Sequence, residues 1–148
     1  MSDNYIPSTM QWVADQVAEY EASGGTRANT LRDTGIPVII VTMTGSKTGA
    51  TRKIALMRVE HEGSYALVAS KGGAPTHPGW YYNLLADPSV MIQDGPAPSA
   101  YTVREISGDE RAEWWERSAS VFAPFREYET KAAEANRVIP VFVAEPAG

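Results

Sequence analysis

Two stretches hold most of the side chains able to do chemistry. The first, Thr44-Gly-Ser-Lys-Thr-Gly-Ala-Thr-Arg-Lys53, sets Lys47, Arg52 and Lys53 around two glycines with no acid among them. Glycines let backbone N–H groups converge on one point while the cations add charge-assisted donors, which suits a phosphate or a carboxylate. An ordinary hairpin loop with solvated cations is the alternative. The second, Ala69-Ser-Lys-Gly-Gly-Ala-Pro-Thr-His-Pro-Gly-Trp-Tyr-Tyr-Asn83, leads Ser70 and Lys71 into a Gly-Gly turn and then to Trp80 and Tyr81. Glycines admit a ligand close to the backbone, and adjacent aromatics offer a flat stacking wall. The same two rings could equally anchor a short helix on a core.

Most self-contained chemistries are excluded by residue type. Among 148 residues there is no cysteine, and His61 and His77 are the whole histidine complement. Disulfides, thiol nucleophiles and cysteine- or histidine-ligated metal centres are therefore not expected. Gly45-Ser-Lys-Thr-Gly49 lacks the spacer and terminal Gly-Lys-Ser/Thr of a Walker loop, and no GxGxxG, GxSxG or HExxH occurs. Ser70 has no evident base partner. Redox chemistry here would have to come from a bound cofactor.

Charge is unevenly spread. The net charge is −5, yet residues 42–86 carry five basic residues (Lys47, Arg52, Lys53, Arg58, Lys71) against Glu60 and Glu62. A locally positive middle inside an acidic chain suits a small anion, whereas nucleic acid needs a broad basic face and is not expected as a partner. The N-terminus lacks the basic and apolar regions of a secretory leader, and the longest apolar run, 37–41, is far short of the roughly 20 residues of a membrane helix. A cytoplasmic protein is expected, with the apolar face of its first helix open to a membrane-surface contact.

The elements that must position these residues follow from patterning. Ser8 and Gln11 form a capping-box pattern before a helix running to about Ala22, with Trp12, Val13, Gln16, Val17 and Tyr20 on one face. Residues 26–34 connect it to a buried strand over 37–43. A strand over 54–60, a turn at His61-Glu-Gly63 and a strand over 64–70 read as a hairpin. A short helix over 80–86, strands over 90–93 and 100–106, and a second capping box at Ser107–Glu110 follow. That box opens a helix broken at Pro124 and resumed to about Asn136, and a strand over 138–143 closes the chain. Hairpin-length connections predict antiparallel pairing, hence an α+β fold: an antiparallel barrel flanked by helices. The two functional stretches would then bracket one hairpin.

Taken in order, Thr-Gly-Ser-Lys-Thr-Gly, Arg52-Lys53, Ser-Lys-Gly-Gly-Ala, His-Pro-Gly-Trp-Tyr-Tyr-Asn-Leu, Asp-Pro-Ser-Val, Asn136-Arg137-Val-Ile-Pro140 and Glu145-Pro146 resemble the deazaflavin-dependent nitroreductase family. The resemblance runs from about Ile36 to Pro146. It implies an antiparallel split β-barrel of the FMN-binding, pyridoxamine-oxidase-like kind over residues 36–148, following an N-terminal helix and connecting loop over 1–35, in a single domain. It implies reduced coenzyme F420 as cofactor, with flavin mononucleotide as second choice. The reaction it implies is hydride transfer to a small electron-poor acceptor such as a quinone, enone or nitroaromatic. A non-catalytic deazaflavin carrier is a further alternative, and the chain could be a monomer or a homodimer.

By motif position, the resemblance gives Ser46, Lys47 and Thr48 to the cofactor's tail or phosphate, with Arg52 and Lys53 beside them. It runs Ile54, Ala55, Leu56 and Met57 along the tricyclic ring. Ala69, Ser70, Lys71 and Gly72 would bind it through backbone and side chain, and Trp80, Tyr81 and Asn83 would close the site. Ser70 would polarise the acceptor and Tyr128 would be the pocket phenol; no metal is implied. Met57 and Phe125 stand where a well-known member has pocket tyrosines, so nitroimidazole activation is not carried over.

Overall fold

The computed structural model describes residues 4–31 and 34–147; the extreme N-terminus read for a leader, and part of the connection over 26–34, lie outside them. The helices are α1 (Gln11–Ala22), α2 (Gly79–Ala86), α3 (Gly108–Val121) and α4 (Phe125–Glu134), with a short 3₁₀ turn at Lys71–Gly73. The strands are β1 (Val38–Thr44), β2 (Thr51–Met57), β3 (Glu60–His61), β4 (Ser64–Val68), β5 (Ser89–Gln93), β6 (Pro98–Glu105) and β7 (Val141–Pro146). They form one sheet in the order β2-β1-β5-β6-β7-β4-β3, with every pair antiparallel.

The two edge strands of that sheet are consecutive in the chain. Only Arg58 and Val59 separate β2 from β3, so the sheet has to curl until its edges nearly meet, which is the split barrel that the motifs imply. This corrects the hairpin expected from sequence. The apolar run read as one strand over 54–60 is shared between two edges: β2 pairs with β1, Val41 opposite Ile54, while β3 turns through Glu62-Gly63 into β4. Both turn residues have positive φ, 53° and 85°, as a two-residue hairpin with right-handed strand twist requires.

Alternation on β1 divides the packing. Ile39, Val41 and Met43 enter the barrel with Leu67, Ile92, Val103 and Phe142, while Val38 and Ile40 face Val17 and Tyr20 of α1. Because both faces are covered, the strand reads as an unbroken apolar run. A third cluster lies between the sheet and α3–α4, built on Trp114, Trp115, Phe125, Ile139 and Val141. No helix among the described residues is long and apolar enough to cross a membrane.

Neither capping box forms. Met10 is the N-cap of α1, and Ser8 Oγ instead accepts from the Met10 N–H at 3.1 Å. Ser107 does cap α3 in position but without a side-chain bond, and Glu110 turns away to chelate Arg104 at 2.6 and 2.8 Å. A bidentate guanidinium–carboxylate pair outcompetes a single backbone N–H.

Candidate functional site

A groove of about 780 Å³ runs along β2, between the start of α1 on one side and α2 on the other. Its cations are Lys47, Arg52, Lys53 and Lys71, and none of its lining residues is acidic. Lys53 is already committed: its Nζ meets Glu21 Oε2 of α1 at 2.6 Å and lies 5.0 Å from the Tyr5 ring centroid. Among the described residues, Lys47 and Arg52 make no ion pair with a carboxylate, and Lys71 bonds only Thr76 Oγ1, at 3.2 Å. Arg58, counted with the basic middle, points elsewhere and donates to Asp94 at 2.7 Å.

The strand edge facing this groove is open. Thr51 donates to the Asn4 carbonyl at 2.9 Å and accepts from the Ile6 N–H at 3.0 Å, away from β1, whereas Arg58 N–H turns inward to Pro37 O. Backbone groups alternate sides along a strand. Lys53, Ala55 and Met57 therefore turn their N–H and C=O groups outward on the edge that residues 4–6 cover only at Thr51. Lys53 and Ala55 line the groove itself. An unpaired row of this kind can receive the polar rim of a flat heterocycle as it would a further strand.

The wall opposite β2 is α2. Gly79, Trp80, Tyr82 and Asn83 line the groove, while Leu84 enters the barrel core and Tyr81 packs behind it, 5.6 Å from Phe142, donating to Glu105 at 3.0 Å. Burial and that carboxylate bond raise the Tyr81 phenol above its ordinary pKa. Asn83 reaches across to the β1–β2 turn, its Oδ1 accepting from the Ser46 N–H at 2.8 Å. Thus the two stretches do meet, through α2 rather than through a shared hairpin. Gly45 allows that turn its tightness: a Cβ there would lie 3.2 Å from Thr48 Oγ1 and 3.3 Å from Ala50 O.

Of the sequence-predicted residues, Ser46, Lys47, Thr48, Arg52, Lys53, Ile54, Ala55, Leu56, Lys71, Trp80 and Asn83 line this groove. Met57, Ala69, Ser70, Gly72, Tyr81 and Tyr128 do not. Met57 continues the open edge and packs with Tyr128 and Phe122 against the α3–α4 cluster. Tyr128 lies 6.0 Å from Phe122 by ring centroids, and Phe125 is sealed behind it at 1% exposure, so Phe125 is a core residue rather than a pocket wall.

Four contributions lie outside the sequence-predicted site residues. Ser8, Thr9, Met10 and Val13 form a wall of the groove, from a segment that the sequence reading set apart from the cofactor domain. Tyr82 replaces Tyr81 as the second aromatic. The signal was available, since Leu84 must be core and Tyr81, three residues earlier, shares its helix face. Arg137 and His77 lie behind the Ala69–Ala74 loop. The Arg137 guanidinium, 7% exposed, donates to Ala69 O, to Ser70 O at 3.0 Å, to Ala74 O at 2.7 Å and to His77 Nδ1 at 2.8 Å. Burial depresses its pKa; burial and then Arg137 itself depress that of His77.

A split barrel with an open strand edge, an indole wall and a cationic groove with no acidic lining residue defines a protein suited to a planar cofactor with an anionic tail, and its residues fit a deazaflavin nucleotide. The chain belongs to the F420H2-dependent quinone reductase family, whose model matches residues 12–146. It is similar to the F420H2-dependent quinone reductase Rv1261c of Mycobacterium tuberculosis, 40% identical over 70 residues that make up 47% of each chain. The match thus spans about half the length of such curated relatives. The putative F420H2-dependent quinone reductase Rv3178 of the same organism is 28% identical over 75% of this chain and 91% of its own. Among solved structures, an F420-H2 dependent reductase (FDR-A) is 47% identical with a TM-score of 0.68, over 74% of this chain and 94% of that one. A second, described as a domain-swapped dimer, is 42% identical with a TM-score of 0.70, over 93% of this chain and all of the other. A heme binding protein from Mycobacterium smegmatis, 17% identical with a TM-score of 0.55 over 83% of this chain and 49% of that one, shares the fold.

Proposed function

We propose that this chain is an F420H2-dependent reductase that passes a hydride to a quinone-type acceptor. The observation that carries the reading is the groove itself: four cations without a carboxylate among its lining residues, set along an unpaired strand edge. When bound, reduced F420 supplies a hydride from its deazaflavin ring. The chain's own residues bind, orient and shield. Lys47 and Arg52, which form no ion pair among the described residues, would meet the anionic tail at the β1–β2 turn. The outward N–H and C=O groups of Lys53, Ala55 and Met57 would hold the polar rim of the ring, and Trp80 would supply an aromatic wall beside it. Family relatives named as quinone reductases support the acceptor class.

The acceptor would lie at the Met57 end, beside the partly buried Phe122 and Tyr128 that pack on the α3–α4 cluster. Ser70 is the donor assigned to its oxygen, and Tyr128 the pocket phenol. Quinone reduction takes one hydride and one proton, and the proton comes from solvent. Alignment over the donor carbon is the main service such a site provides, since fixing the two reactants removes most of the entropy of encounter. The relative described as a domain-swapped dimer supports a homodimer, which sedimentation of the full chain would establish or exclude.

The test is parallel titration with coenzyme F420 and flavin mononucleotide, followed by oxidation of F420H2 across quinones, enones and nitroaromatics. Binding of F420 with turnover of quinones is expected. Binding of the flavin alone would overturn the cofactor, and F420 binding without turnover would make the protein a carrier.

A further inference from the structure

Arg137 is unusual in what neutralises it. A guanidinium this buried ordinarily faces a carboxylate, yet among the described residues its partners are three backbone carbonyls and an imidazole nitrogen. All three carbonyls belong to the short segment Ala69–Ala74, which carries Ser70 and delivers Lys71 to the groove. That segment does not hold its shape unaided. Lys71, Gly72 and Gly73 all have positive φ, 48°, 63° and 79°, and a lysine in the left-handed region is there against its own preference. Two anchors fix it: the backbone of Tyr128 in α4, against which Gly73 is pressed, and Arg137 on the carbonyl side. The N–H groups of Ser70, Lys71 and Gly72 have no backbone acceptor among the described residues.

We propose that Arg137 is a positioning residue for the cofactor site: by gathering the carbonyls of Ala69, Ser70 and Ala74 and the ring of His77, it sets the Lys71–Gly73 turn against the groove, and protonation of His77 releases it. The inference rests on the function proposed above. His77 accepts from Arg137 Nε through Nδ1, so it must be neutral there. A proton on Nδ1 would set N–H against N–H at 2.8 Å and an imidazolium beside a guanidinium. The other groups facing His77 are the Tyr81 and Tyr82 rings, 4.5 and 6.2 Å away, and Glu105, reached through the Tyr81 hydroxyl. Glu105 favours the protonated ring, whereas burial and Arg137 oppose it and prevail. Release therefore belongs on the acid side of an ordinary histidine titration.

The experiment follows F420 binding by the full-length protein, Arg137→Lys and His77→Asn from about pH 8 to about pH 5, with melting temperatures alongside. Lysine keeps the charge but cannot span four acceptors. Asparagine keeps an acceptor close to Nδ1 and cannot titrate. Arg137→Lys should bind F420 about tenfold or more weakly at neutral pH. His77→Asn should lose the acid limb that the wild type shows. A lowered melting temperature in Arg137→Lys with wild-type affinity would reduce Arg137 to a structural residue and overturn the inference. So would an unchanged acid limb in His77→Asn. A wild type that binds no F420 at any pH overturns the proposed function and this inference with it, whereas intact wild-type binding with unaffected variants overturns this inference alone.

Discussion

Asn83 and Ser46, 37 residues apart, are joined by a hydrogen bond of 2.8 Å from the Ser46 N–H to the Asn83 side-chain oxygen. It fastens the turn that carries Lys47 to the helix that carries Trp80. Asn83 Nδ2 also donates to Met43 Sδ at 3.6 Å, so the amide's orientation is fixed from both ends. Asn83→Ala should leave the turn attached through its own bonds, Gly49 N–H to Gly45 O and Gly45 N–H to Ala50 O, but no longer set against α2. Cofactor affinity should fall by about 1 kcal/mol, the typical worth of one such bond, with little change in melting temperature. Fluorescence titration beside a thermal melt separates the two quantities.

The groove's cations should not be equivalent. Lys47 and Arg52 have no carboxylate partner among the described residues to lose, so Lys47→Ala and Arg52→Ala should each weaken F420 binding by about 1.5–3 kcal/mol while stability moves by less than about 0.5 kcal/mol. Added salt should narrow the gap between each variant and the wild type. Lys53→Ala should behave differently, because it breaks the pair with Glu21. Partial exposure limits that pair to about 1 kcal/mol of stability, and its loss should be visible in a melt, with a smaller effect on binding than at Lys47.

How far the sequence carried this reading depended on whether a residue's partner was local. Strand periodicity, the break at Pro124 and the α2 helix were all legible because each is set within a few residues. The cation loop was legible as an anion site because charge and glycine spacing are local too. Three features were not. The division of residues 54–60 between two sheet edges depends on barrel closure, which no local pattern encodes. The failure of the Ser107–Glu110 capping box depends on Arg104, whose second carboxylate, Glu145, lies 41 residues on. Arg137 belongs to the Asn136–Pro140 motif, but its partners lie 60–68 residues away, and nothing beside it distinguishes it from a surface arginine.

Alkaline stability should report on the Tyr65–Asp94–Arg58 cluster. The Tyr65 hydroxyl donates to Asp94 Oδ2 at 2.7 Å, and Arg58 donates to the same oxygen at 2.7 Å. Burial first, then the bond to Asp94, raise the Tyr65 phenol well above its ordinary value. A folded-state pKa above the unfolded one means that the folded protein holds its proton longer. The associated stability is complete below the unfolded tyrosine value, about 10, and is lost as pH climbs beyond it. Tyr65→Phe should therefore be less stable at neutral pH, by about 1 kcal/mol, and should lose stability less steeply above pH ~10. Tyr20 and Tyr81 are also raised, so the slope should shrink rather than vanish. Urea denaturation at neutral and alkaline pH measures both effects.

Gly73 should be the least replaceable glycine of the site loop. Its φ of 79° already excludes most side chains, and a Cβ would fall 2.7 Å from the Tyr128 carbonyl oxygen and 3.0 Å from its Cα. Those are backbone atoms of α4 and cannot rotate aside as a side-chain tip could. Gly73→Ala therefore adds left-handed strain, of order 1 kcal/mol or more, to a clash that only a shift of α4 or of the loop relieves, typically another 1–3 kcal/mol. Neighbouring Gly72 has φ 63° and open space around its Cβ direction, so Gly72→Ala should carry the strain without the clash. A clearly larger fall in unfolding free energy for Gly73→Ala than for Gly72→Ala is expected. Equal falls would mean that the loop stands off α4 in solution, without the close approach of Gly73 to the Tyr128 backbone.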